Sequence, residues 1–446
     1  MRRLIPGLAM VVAILAAAWP PPACAAFAES DTPPRTSAEL ERWWSTFADP
    51  ELARLVDEAL AGNQDIAQAM ARLAQAEARF GGSKGARLPT LTAGLSTARA
   101  FGGPAPARNA FDGTLALGWE PDLFGGLKEA RKGARAELST AGYDLASVQR
   151  AVIAELASSY VLYRGIGARI ANTREAVETQ RRIFAIIRHR FELGIALAVN
   201  VEQAQLQLLQ TEALLPLLDD ARNRASNRIA ILAGLPPGEL DGRLGVEGRV
   251  PQAATLPAVD MPADLLLRRR PEVMAAEQRA FAARAGIGMA RPALYPRLSL
   301  SGMVAASSFS LASLADNIVS SIFGGLTQTL FDGGQRRAAL RERQALEAEA
   351  LAAYRSAILK ALEDIANAAS AWQSADNRLR INTAARDAAV RNAGQSRGQY
   401  AIGLIDLFIL LDAEQQLLVQ RDEVIISEID RADAGIALFT ALGGGW

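Results

Sequence analysis

One pattern of residues occurs twice in this chain, almost half its length apart, so the fold must accommodate two copies of one plan. Leu88-Pro89-Thr90-Leu91-Thr92-Ala93-Gly94 recurs as Tyr295-Pro296-Arg297-Leu298-Ser299-Leu300-Ser301, and Leu123-Phe124-Gly125-Gly126 recurs as Leu330-Phe331-Asp332-Gly333-Gly334. Pro89 to Pro296 and Phe124 to Phe331 are both steps of 207, and Asn63-Gln64-Asp65-Ile66 falls opposite Arg270-Pro271-Glu272-Val273 at that offset. Downstream the offset drifts by two, where Phe191-Glu192-Leu193-Gly194 answers Tyr400-Ala401-Ile402-Gly403. So long a period excludes a solenoid of small units. Each half reads as helix, strand, strand, very long helix, turn, helix. The halves span 29–235 and 263–446, joined by a Pro/Gly-rich linker over 236–262 with room for a short strand or two.

The first residues point to export. Arg2 and Arg3 precede an apolar run from Leu8 to Trp19, and Ala23-Cys24-Ala25 and Ala26-Phe27-Ala28 both offer cleavage sites, so residues 1–28 read as a signal peptide. The run is too short to span a bilayer as a helix. Cys24, the sole cysteine, is either lost with the signal or acylated as the first residue of a lipoprotein; Pro21 and Pro22 fit the lipoprotein pattern poorly. Formal net charge is zero, which removes the basic field that nucleic acid requires. A single histidine, His189, lies between two arginines and makes no metal site; it reads as a surface residue. No nucleophile–base pair stands out, so neither catalysis nor a cofactor is expected.

Within each half a pair of segments alternates with period two, giving strands over 88–101, 109–120, 296–310 and 317–331. Phe111, Gly113, Leu115, Leu117 and Trp119 share one face, and Leu298, Leu300, Gly302 and Val304 oppose Arg297, Ser299, Ser301 and Met303. Strands of about ten residues, apolar on one side and small or polar on the other, suit a membrane barrel with a wet interior. The aromatics Phe101, Phe111, Trp119, Phe124, Tyr295, Phe309, Phe323 and Phe331 near their ends suggest an interfacial girdle. A soluble sheet with one buried face has the same pattern. Four strands cannot close a membrane barrel, and lipid does not tolerate open edges. Either the sheet is soluble or several chains share one barrel; three would give twelve strands.

Proline is absent from Gly126 to about Arg190 and from Gly333 to about Arg397, stretches rich in Ala, Arg, Glu, Gln and Leu. Some 60 residues of helix reach about 90 Å and need lateral, coiled-coil-like support. Each long helix ends near a glycine, and a second one returns, giving hairpins over 126–235 and 333–442. Trp43-Trp44 reads as a packing anchor. The three arginines at 268–270, before a helix start at Pro271, should pair with neighbouring acids. Gly443-Gly444-Gly445-Trp446 reads as a frayed end.

In this order, Trp43-Trp44, Phe47-Ala48-Asp49-Pro50, Leu52, Leu55-Val56, Asn63, Asp65-Ile66, and then Arg269-Arg270-Pro271-Glu272-Val273, Ala276-Glu277, Gly288, Ala290-Arg291 and Tyr295-Pro296 resemble the TolC-type outer-membrane efflux proteins, closest to the OprM/NodT branch. The resemblance covers nearly the whole mature chain. It implies a homotrimer in the outer membrane. Twelve strands would form one barrel among outer-membrane lipids, continued by an α-helical coiled-coil tube through the periplasm. Such a protein is a passive exit duct for small molecules, joined by a periplasmic adaptor protein and an inner-membrane RND-type pump. The same fold also serves type I protein secretion, and a soluble periplasmic coiled-coil scaffold is the rival from another class.

The resemblance also selects residues. Phe191, Leu193, Gly194, Tyr400, Gly403 and Leu404 match hairpin tips that meet the adaptor. Asp412 matches an inward acid that narrows the tunnel, with Asp406 and Ile409 grouped beside it; Ile409 stands where a second acid is expected. A three-fold ring at Asp412 would repel anions and gather cations. Tip glycines that are only helix caps, and an Asp412 on an ordinary wet face, remain the plainer readings.

Overall fold

The computed structural model describes residues 42–99, 109–245, 249–254 and 268–446. The signal segment with Cys24, Phe101 and part of the linker lie outside them.

A 3-10 turn at Trp43–Phe47 leads into α1 (Pro50–Gly62) and α2 (Gln64–Gly85). The first helical segment is therefore divided, and the sequence supplies the cause. The Asn63 carboxamide oxygen accepts the N–H groups of Asp65 (2.9 Å) and Ile66 (3.1 Å), starting α2 where α1 stops. Strands β1 (Thr90–Arg99) and β2 (Asn109–Trp119) precede α3 (Gly126–Glu192). The return limb is α4 (Ala198–Glu212) and α5 (Leu214–Leu232). It is broken at Ala213, because Pro216 has no N–H to donate to the carbonyl of Glu212. The second half holds α6 (Pro271–Ala290), a 3-10 turn (Arg291–Leu294), β3 (Arg297–Ser308), β4 (Ile318–Thr327), α7 (Gln335–Ala401) and α8 (Leu407–Ala441). The strand predicted over 317–331 stops at Thr327. Among the described linker residues no strand is assigned; turns over 236–244 instead bury Leu240 and Leu244.

The four strands form one antiparallel sheet in the order β1-β2-β3-β4. Its register places Leu91, Leu117, Gly302 and Ile322 in one row and Ala93, Leu115, Val304 and Ser320 in the next, so the apolar faces read from the sequence fall on one side. Phe323 pairs with Ser301 on the opposite, polar side. It therefore leaves the expected girdle, because alternation sends it away from Ile322.

Helices α3 and α7 each contain 67 residues, about 100 Å of helix. Each follows a glycine in the left-handed region, Gly125 (φ 79°) and Gly334 (φ 89°). Short helices supply their support: α2 and α6 lie against the sheet-proximal part of α3, and α4, α5 and α8 flank the rest of it.

The main core sits where these layers meet. Trp43 is fully buried, stacked on Phe439 at 5.5 Å, among Leu52, Leu55, Leu156, Tyr160 and Ile436. The Trp-Trp anchor is thus a core element. At the same level the N-cap side chains of α2 and α6 perform matching tasks. The Asn63 amide donates to the carbonyl of Leu232 (2.9 Å), and the Arg270 guanidinium donates to that of Ala441 (3.3 Å) while pairing with Asp364 (2.7 Å). Leu232 and Ala441 are the last residues of α5 and α8. The C-terminal tail is not frayed. The Gly444 N–H bonds back to Phe439, Gly443 and Gly445 are buried with positive φ, and the Trp446 indole donates to the carbonyl of Arg269 at 2.9 Å.

The two-residue drift also finds its place. Thr90 pairs with Gly118, but Arg297 pairs with Thr327, so the extra residues lie in the β3–β4 connection. Phe331 consequently does not occupy the position of Phe124. Phe124 stacks on Tyr295 at 4.8 Å, whereas Phe331 is 89% exposed.

Candidate functional site

At the far ends of the hairpins both long helices close in the same way. The N–H of Ile195 bonds to the carbonyl of Arg190 (2.8 Å) and that of Gly194 to Phe191 (2.9 Å). At the other tip Leu404 bonds to Gln399 (2.9 Å) and Gly403 to Tyr400 (3.1 Å). This double closure requires a left-handed residue, supplied by Gly194 (φ 68°) and Gly403 (φ 78°). A side chain added at either glycine meets nothing within 4 Å, so backbone conformation alone explains them.

The flanking side chains divide. Phe191, Leu193 (61% exposed), Ile195, Leu197, Ile402 and Leu404 (71%) form a row of water-facing apolar groups. Tyr400 is half-buried against a small core of Ile187, Ala204, Leu407, Leu410 and Leu411. Its ring lies 5.1 Å from the Arg190 guanidinium, a cation–π contact that joins the two tips. Above it is a cavity of about 340 Å³, lined in part by Arg182, Ile186, Arg190 and Arg397. His189 is exposed, 3.7 Å from Glu192.

The Asp406 carboxylate accepts the N–H of Ile409 (3.1 Å) and thereby starts α8. Ile409 and Asp412 are both exposed, one turn apart with Phe408 on the same stripe, while Leu407, Leu410, Leu411 and Ala413 turn inward. Asp412 accepts a hydrogen bond from Gln416 at 2.8 Å. The stripe is mixed, one carboxylate beside two large apolar groups.

Sequence reasoning did not identify the polar ties that hold α8 to its neighbours. Arg397 on α7 makes a two-pronged pair with Glu414, which is buried, and Arg169 on α3 makes another with Asp422 (2.7 and 2.9 Å). Arg421 pairs with Glu175 at 2.7 Å. Glu414 and Arg397 are 17 residues apart and Arg169 and Asp422 are 253 apart, so no local spacing announces them. A carboxylate in an otherwise apolar inward stripe of α8 was the only available signal.

Among the described residues no helix is long and apolar enough to cross a membrane, and no cluster of three metal-ligating side chains occurs. The apolar side of the sheet exposes Leu91, Leu95, Leu117, Ile318, Ile322 and Leu326.

The outer membrane efflux protein family matches residues 55–235 and 263–444. The pyoverdine export outer membrane protein OpmQ of Pseudomonas putida is 27% identical, over 91% of this chain and 88% of its own length. A probable outer membrane lipoprotein of Salmonella typhimurium, SilC, is 26% identical over 93% of this chain and 90% of its own. The solved structure of the outer-membrane channel OprN superposes with a TM-score of 0.85 at 30% identity, covering 95% of this chain and 99% of that one.

Proposed function

The chain belongs to the outer membrane efflux protein family, and from that premise we propose that three copies join their open sheets into one twelve-stranded barrel, continued by a helical tube into the periplasm. The protein is an outer-membrane exit duct for efflux. The observation that carries the three-chain reading is the sheet itself. It has four strands with an apolar, water-exposed side and two unpaired edges, β1 and β4, and it is continuous with helices about 100 Å long. Unpaired edges are untenable in lipid and are satisfied by closure. The matching N-caps, caps and helix lengths of the two halves support descent from one duplicated unit and give the trimer six similar sectors.

Passage would be passive, with the tips and the Asp412 stripe as control points. The exposed apolar row at Phe191, Leu193, Ile195, Ile402 and Leu404 suits a periplasmic adaptor that covers it and connects an RND-type pump. Asp412, Phe408 and Ile409 on one face of α8 suit a narrowing that is part acidic and part apolar. Release of α8 would break its pairs to Arg397 and Arg169, which requires two discrete arrangements of the inner helices. Since OpmQ exports pyoverdine by name, a small molecule rather than a polypeptide is the cargo class we assign.

The deciding experiment is cell fractionation and native mass of the full chain expressed with its own signal. A detergent-extracted species of three chains in the outer membrane supports the reading, and its intact mass reports whether Cys24 is removed or acylated. A monomer in the soluble periplasm overturns it.

A further inference from the structure

The two halves meet inside one chain through β2 against β3 and, below the sheet, α3 against α6. That internal seam is a template for the seam between chains, because each outer flank carries the counterpart of an inner one. Positions on α2 and β1 correspond to those on α6 and β3 by a step of 207: Asn63 and Arg270 are both N-caps, and Thr90 and Arg297 begin their strands. Positions on β2 and α3 correspond to those on β4 and α7 by a step of 209: Gly118 to Thr327 in the two hairpin registers, and Gly125 to Gly334 before the two long helices.

We propose that β4 of one copy pairs with β1 of the next in one defined register, which sets Leu326 opposite Leu95 of the neighbouring copy. The inference rests on the three-chain reading and goes beyond it by fixing the contact. Inside the chain Leu117 is opposite Gly302; the two steps carry that pair to Leu326 and Leu95, and they carry Gly118 and Ser301 to Thr327 and Gly94. Leu326 and Leu95 are 70% and 72% exposed and lie on the apolar side of their strands, so the register keeps both sides of the sheet continuous across the seam. A slip of one residue would set apolar against polar rows.

The helices below agree. A Cβ on Gly288 of α6 would lie 2.5 Å from Cγ of Glu129 on α3, so that seam tolerates only glycine without rearrangement. The counterpart of Gly288 is Gly81 on α2, where an added Cβ meets nothing within 4 Å. By the same steps Gly81 would receive Ala338 of the neighbouring copy, a small residue that is exposed in the single chain.

The test is disulfide trapping in the full-length protein in outer membranes. Leu326→Cys is combined in turn with Ala93→Cys, Leu95→Cys and Thr97→Cys, with the single variants controlling for Cys24. Side chains directly opposite have Cβ atoms about 5 Å apart and diagonal ones about 7 Å, so the correct pair should give about fivefold more covalent dimer and trimer than either flanking pair. Predominant trapping by L95C/L326C, reversed by reductant, is the expected result. Predominant trapping by a flanking pair overturns the register while leaving closure by a second copy intact. No trapping in any pair, with three chains still co-purifying in detergent, overturns edge pairing. No trapping and a monomeric mass would show instead that the three-chain reading itself has failed.

Discussion

Asp433 on α8 is a carboxylate in a costly place. Burial pushes its pKa up to about 6, against a donated hydrogen bond from Ser158, and one of its oxygens has no partner. A folded-state value above the unfolded one of 3.8 means stability is lost as pH rises: the penalty is absent below about pH 4 and complete above about pH 6. Asp433→Asn should therefore stabilise the protein by about 2 kcal/mol at pH 8 and by little at pH 4, read as thermal unfolding at the two pH values. At the tips, Gly194→Ala and Gly403→Ala meet no steric obstacle, so each should cost only the backbone term, about 1 kcal/mol. That loss should appear as faster amide exchange at the tips, with amides elsewhere that exchange through their own local openings unchanged. These two glycines were legible in the sequence because a chain reversal after a long helix has few solutions. Asp433 was not, since its shift comes from burial beneath residues distant in sequence. The sequence groups Asp406 with the constriction, and the structure adds that its carboxylate caps α8.

Among the elements, those fixed by local chemistry were read most closely from the sequence. Both long helices were foreseen from uninterrupted helix-forming stretches, and both ends fall within a few residues of expectation. The breaks at Asn63 and Ala213 were missed although Asn63 and Pro216 carry the signals, because a one-residue interruption hardly disturbs an apolar pattern. The C-terminal glycines show the opposite error. Glycine and brevity suggested fraying, but the glycines permit a close approach to Arg269 and Trp43 that only the tertiary structure reveals. Trp446 also packs edge-on against Tyr143, with ring centres 6.2 Å apart. Trp446→Ala should lower stability by about 1–2 kcal/mol through the lost indole hydrogen bond and ring contact, and Trp446→Phe should recover part of it in a denaturant titration.

For the whole molecule, strand count in the sequence left two alternatives, a soluble sheet or one barrel shared by several chains, and the four-stranded sheet with two unpaired edges is the premise of the three-chain reading. What it left open was register, which depends on loop lengths that the repeated motifs concealed. If three copies assemble with the Asp412 stripe facing the tunnel, as proposed, Asp412→Asn should reduce cation preference in single-channel recordings by a few-fold, with expression and trimer mass unchanged.

The equal length of the two long helices constrains how such a protein can change. Removing seven residues from α3 alone would retract one tip by about 10 Å and leave the other in place. In the proposed trimer the six tips would then end at two different heights, three long and three short, and a partner resting on them would engage only three. A deletion becomes tolerable only when it is matched in α7 and in both return limbs, so four separated segments of one chain must lengthen or shorten together.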